Sequence, residues 1–146
     1  MNKMRISIAV ALAALAASLL WAGVDLTNAK CPVAGGAANA ETSVDYKGGK
    51  VYFCCGGCDK SFKENLAGYA AKANHQLFVT GQAKQIACPL AGEPVDAKVT
   101  AKTDGATVAF CCAHCRESVE ALTDDAAKIE MLFNDAAFEK GFKVGD

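Results

Sequence analysis

The hydrophobic and polar positions change period in the same order twice along the chain. Ser43-Val44-Asp45-Tyr46 and Lys50-Val51-Tyr52-Phe53 read as strands joined through Lys47-Gly48-Gly49. Further on, Lys98-Val99-Thr100-Ala101 and Thr107-Val108-Ala109-Phe110 read as strands joined around Asp104-Gly105. Glycine and Asp-Gly turns between β-branched runs predict hairpins. Each second strand runs into Cys-Cys-x-x-Cys, where a helix is expected to start. Phe62, Leu66, Tyr69, Ala70 and Ala73 recur there at helical spacing, as do Cys115, Val119 and Leu122 in the second round. The latter helix is expected to be short, because Thr123-Asp124-Asp125 reads as a stop followed by a fresh N-cap. A further helix carries Ile129, Leu132, Phe133 and Ala136 and ends near Lys140-Gly141. Asn74 to Ala87 reads as the link between the rounds, and its Leu77-Phe78-Val79 is too apolar to lie free.

The two rounds are copies of one unit. Cys31, Cys54, Cys55 and Cys58 recur as Cys88, Cys111, Cys112 and Cys115, each 57 positions on and without a gap. The same register carries Pro32 onto Pro89, Gly35 onto Gly92, Gly48 onto Gly105, Val51 onto Val108 and Phe53 onto Phe110. A constant offset holding this many identities is a tandem duplication.

The N-terminus has a different pattern. Lys3 and Arg5 precede an unbroken run of small apolar residues from Ile6 to Gly23, a charged region followed by a hydrophobic one. Small residues at Trp21-Ala22-Gly23 and Thr27-Asn28-Ala29 offer cleavage sites. Residues 1–29 are therefore read as a signal peptide, with a retained N-terminal anchor as the alternative. Residues 30–86 form the first unit with its linker, and residues 87–146 the second with a C-terminal helix. The expected location is exported, periplasmic or secreted, with membrane contact only if the first segment is kept.

The chain has a formal net charge of −1, which gives no electrostatic case for a nucleic-acid partner. No phosphate loop, Ser/His/Asp spacing or paired-carboxylate pattern is present, so the chain is not expected to be an enzyme. The eight cysteines are the chemistry that remains. A unit of this size buries little apolar surface and needs a staple. In each copy a Cys-Pro turn, the end of a hairpin and the start of a helix bring thiols together. Helix N-terminal N–H groups favour thiolate, the form that binds metal. Soft thiolate sulfur suits Zn²⁺ or Cu⁺, one ion per unit, rather than Mg²⁺ or Ca²⁺.

Cys31-x22-Cys54-x3-Cys58 and Cys88-x22-Cys111-x3-Cys115 resemble the TRASH domain, a relative of the YHS domain. Cys-Pro-Val-Ala-Gly and Gly-Lys-Val-Tyr-Phe-Cys-Cys-x-x-Cys-x-x-x-Phe fit the same pattern. The resemblance implies a small α+β fold of two tandem treble-clef-like zinc-finger modules, each a Cys-Pro turn, β-hairpin and helix. It implies a role in heavy-metal sensing, trafficking or resistance, with copper a frequent theme. By matched position Cys31, Cys54 and Cys58 are the first ligand set, and Cys88, Cys111 and Cys115 the second. Cys55 and Cys112 are additional thiols, read here as fourth ligands, disulfide partners or buried small hydrophobes. The Tyr-His-Ser triad of the YHS name is absent.

Two other readings compete. An exported small protein with eight cysteines can be a disulfide-stapled module that binds another protein, with two bridges in each copy. Cys55-Gly56-Gly57-Cys58 and Cys112-Ala113-His114-Cys115 are also C-x-x-C sequences, which would serve thiol–disulfide exchange in a different fold context. His114, beside the second set, and His75 are the only histidines and are secondary ligand candidates.

Overall fold

The computed structural model describes residues 23–145. Most of the proposed signal segment, residues 1–22, lies outside the described residues. The protein is a small α+β fold with two-stranded antiparallel sheets and, among the described residues, five helices. None of these helices is long and apolar enough to cross a membrane.

The first copy begins with the hairpin β1 (Asn39–Tyr46) and β2 (Gly49–Phe53). Lys47 and Gly48 both take positive φ, 49° and 85°, as a two-residue type I′ turn requires. The second copy repeats this with β4 (Asp96–Thr103) and β5 (Ala106–Phe110), turning at Asp104 and Gly105 with φ of 36° and 80°. Both hairpins also carry the same irregularity. Asn39 faces Phe53 while Ser43 faces Tyr52, and Asp96 faces Phe110 while Thr100 faces Ala109. The strands are thus longer at their starts than alternation indicates, because this bulge interrupts the pattern.

The first helix is broken. α1 (Cys58–Glu64) ends at Asn65, and α2 (Leu66–Val79) starts from it. The Asn65 side chain accepts from the Gly68 N–H, serving as an N-cap. Leu66 falls beyond the break and is exposed, off the stripe that buries Phe62, Ala70 and Ala73. α2 also runs through Asn74 to Val79, so the first half of the expected link is buried helix. In the second copy α3 (Ala113–Glu120) is short, and Asp124 caps α4 (Asp125–Phe133) through the Ala127 N–H. Asn134 then caps α5 (Asp135–Gly141), dividing the expected last helix in two.

The copies share one core. α2 packs along α4, and Phe78 meets Phe133 and Phe142 with ring centroids 5.8 and 4.9 Å apart. β3 (Ala83–Gln85) from the first copy pairs antiparallel with β6 (Phe142–Val144) from the second. The hairpin tips cross over as well. Lys47 pairs with Asp135, and Asp104, its counterpart in the second copy, pairs with Lys30. The end of the segment read as a signal peptide also takes part. Ala29 is buried, accepts from the Ala38 N–H, and precedes a bridge between Lys30 and Ala37.

Candidate metal centre

Each thiol cluster is assembled from three local structures that the duplicated sequence specifies twice. The first is the Cys-Pro turn. The Cys31 N–H donates to the Gly36 carbonyl at 2.7 Å, and the Gly35 N–H donates to the Cys31 carbonyl at 2.8 Å. Gly35 has φ of 74°, which a side chain would strain. The second turn matches it: Cys88 N–H to Glu93 carbonyl at 2.8 Å, Gly92 N–H to Cys88 carbonyl at 2.7 Å, and Gly92 at φ 75°.

The second element is the end of the hairpin. Phe53 and Phe110 are fully buried and anchor the strands that deliver Cys54 and Cys111. The Asn39 side-chain amide donates to the Cys54 carbonyl at 3.2 Å and fixes the strand end. The third element is the helix start, where Cys58 opens α1 and Cys115 lies in the first turn of α3. Phe62 holds α1 against the hairpin, with ring centroids 5.4 Å from Phe53 and 5.5 Å from Tyr46. Val119 is its buried counterpart on α3.

These elements bring Cys31, Cys54 and Cys58 together, and likewise Cys88, Cys111 and Cys115. Within each triplet the sulfurs all lie within 4.8 Å of one another. Three sulfurs each about 2.3 Å from one ion would lie roughly 3.8 Å apart in a tetrahedral arrangement. Cys54 to Cys58 at 3.9 Å and Cys111 to Cys115 at 3.8 Å meet that spacing. Every cysteine of the described residues is a free thiol, and these separations are far longer than an S–S bond. The residues therefore fit one metal ion per copy.

The remaining sulfurs are placed differently. Cys55 and Cys112 are exposed and stand outside the triplets. Cys55 Sγ lies 3.3 Å from Cys58 Sγ, whereas Cys112 Sγ lies 3.7 Å from Cys111 Sγ. His114 is exposed on α3 and belongs to neither triplet. His75 is buried in α2 with its ring edge-on to Phe133 at 5.1 Å, which makes it a core residue between the copies.

Electrostatics divide the thiols. Burial pushes Cys31 up, but N–H groups of Ala34, Cys54 and Val33 outweigh it and the net direction is down. Cys88 behaves alike, with burial opposed by N–H groups of Cys111, Ala91 and Leu90. The partners move the other way. The Cys55 sulfur, then burial, then Cys31 raise Cys58, while burial, then Cys111, Cys112 and Cys88 push Cys115 up to about 12. Within each triplet the first cysteine is thus the more readily deprotonated, while Cys58 and Cys115 hold their protons more firmly. A cation would displace those protons, so uptake must release acid.

Two glutamines that belong to no motif in the sequence brace the clusters. Gln76 accepts from the Tyr52 N–H and donates to the carbonyls of Tyr52 and Lys30. Gln85 accepts from the Ala109 N–H and donates to the carbonyls of Ala109 and Ala87. Each ties the residue before a cluster's first cysteine to the strand carrying its second. The signal that could have found Gln76 is an amide set against Leu77-Phe78-Val79 on a buried helix.

Comparison of the chain with protein-family models, curated proteins and solved structures returned no match.

Proposed function

We propose that the protein is an exported carrier of a soft metal ion, Zn²⁺ or Cu⁺, holding one ion in each thiolate cluster. The observation that carries this reading is the pair of triplets at repeat-equivalent positions, each with its sulfurs converged within 4.8 Å. Three thiolates leave a tetrahedral ion one open position, to be filled by solvent or by a donor from a partner protein. An open position favours exchange over a closed structural site. The order of turn, hairpin and helix around each cluster supports a treble-clef-like module. The Cys-x22-Cys-x3-Cys spacing supports kinship with TRASH domains and service in heavy-metal trafficking or resistance. The apolar run after Lys3 and Arg5 supports export. The absence of a catalytic constellation in the sequence supports a binding rather than an enzymatic role.

Native mass spectrometry of the exported chain, with and without a chelator, tests the reading. Two ions lost on chelation, leaving eight free thiols, would establish both sites and identify the element. A metal-free mass eight hydrogens light would mean four disulfides and would refute the carrier reading.

A further inference from the structure

The exposed Cys55 has no place in the first triplet, yet its sulfur lies 3.3 Å from that of Cys58, closer than Cys54 at 3.9 Å. Gly56 and Gly57 separate the two, and apart from their immediate chain neighbours no atom lies within 4 Å of where a Cβ on either would be. Cys31 and Cys58 are buried and Cys54 is half-buried, so Cys55 is the thiol of this cluster most open to a reagent in solution. We propose that Cys55 and Cys58 form an oxidative gate that releases the first ion. The proposal rests on the metal-binding reading above and assigns its regulation.

The oxidant is a small-molecule disulfide. The Cys55 thiolate attacks one of its sulfurs, the oxidant's S–S bond breaks, and one thiolate leaves to take a proton from water. Cys58 then attacks the Cys55 sulfur of the mixed disulfide, displacing the second thiolate, which is protonated in turn. Two electrons pass from the cysteine pair to the oxidant, and one intramolecular S–S bond replaces the intermolecular one. Closing the bond brings the sulfurs from 3.3 Å to about 2.05 Å, a small movement across an unobstructed Gly-Gly loop. Cys58 is then lost as a ligand. The ion keeps only Cys31 and Cys54, too few for a thiolate site that needs three or four donors.

The second copy is built differently at this point. Its helix begins at Ala113, so Cys112 sits in extended backbone at the N-cap position without a side-chain capping bond, and its 3.7 Å neighbour is Cys111, the preceding residue. The first copy should therefore open before the second.

The test loads the reduced chain with Zn²⁺, adds oxidised glutathione, follows release with a chromogenic chelator and maps disulfides by peptide mass spectrometry. The expected result is one equivalent released at least about tenfold faster than the next, with a Cys55–Cys58 bond and reversal by dithiothreitol. The Cys55→Ser variant should lack that bond and hold its first ion at least about tenfold longer. Release through a bond that uses Cys31 or Cys54, or simultaneous loss from both sites without a Cys55–Cys58 bond, would overturn the gate and leave the carrier reading standing. Failure to take up zinc before any oxidant is added would overturn the carrier reading, and the gate with it.

Discussion

Gln76 and Gln85 stand nine positions apart on consecutive elements, yet they make the same three hydrogen bonds to opposite copies of the repeat. The duplication supplies the targets twice, Tyr52 with Lys30 and Ala109 with Ala87, but it does not supply the brace twice. Position 133, where a second copy of Gln76 would fall, is Phe133 in the shared core. The same job is done from β3, which reaches across into the second copy.

Replacing either glutamine by leucine should leave one strand N–H and two carbonyls without partners. Unsatisfied buried groups are costly, so Gln76→Leu is expected to lose about 2–4 kcal/mol of stability in urea unfolding. Gln85 is less buried, and Gln85→Leu should lose about 1–2 kcal/mol. Equal or negligible losses would show that the brace is incidental.

Removing a buried ligand should act on one site at a time. Cys31→Ser and Cys88→Ser are each expected to bind one equivalent of metal where the parent binds two, read by elemental analysis after gel filtration. At metal concentrations about a hundredfold above Kd, the lost site should remove roughly 2.7 kcal/mol of metal-linked stability. Two equivalents retained in both variants would refute the ligand assignment.

Gly141 offers a way to disturb the second site without touching a thiol. A Cβ there would come within 2.7 Å of Pro89 Cα, part of the Cys88 turn, and the Gly141 carbonyl accepts from the Ile86 and Ala87 N–H groups. Gly141→Ala should cost about 1–3 kcal/mol by overpacking. Metal affinity at the second site should fall while the first is unaffected, as resolved by titration of the two sites in native mass spectra.

His75 should impose an acid limit on stability. Burial lowers its pKa, and the nearby Asp104 carboxylate only partly offsets this. The unfolded chain then binds the proton more readily than the folded one. The contribution of neutral His75 is complete above the unfolded value of about 6.5 and is lost as pH falls through the lower folded value. The stability of the metal-free reduced chain should therefore decline below about pH 6.5, and His75→Phe should flatten that slope. An unchanged slope would place the acid sensitivity elsewhere.

What was legible in the sequence was local. The hairpins follow from Gly48 and Asp104-Gly105, the Asp124 cap from its position before a helical run, and the thiol triplets from a turn, a strand end and a helix start at fixed spacing. What was not legible depends on the partner copy. The half-read link at Asn74–Val79 is helix because it packs against α4, and Leu66 leaves its stripe because Asn65 caps a new helix. β3 and β6 are three residues each, too short to carry a pattern, and exist because they meet.

That meeting makes the connection between α2 and Cys88 a ruler. Ala83 faces Val144 and Gln85 faces Phe142, so adding or deleting one residue at Thr80–Gln82 would turn the strand over. Buried Ala83 would face water, and Gln85 would point away from the strand it braces. A segment that reads as a spacer is thus counted to the residue, and insertions that surface loops ordinarily accept would here be felt first at the second thiol cluster.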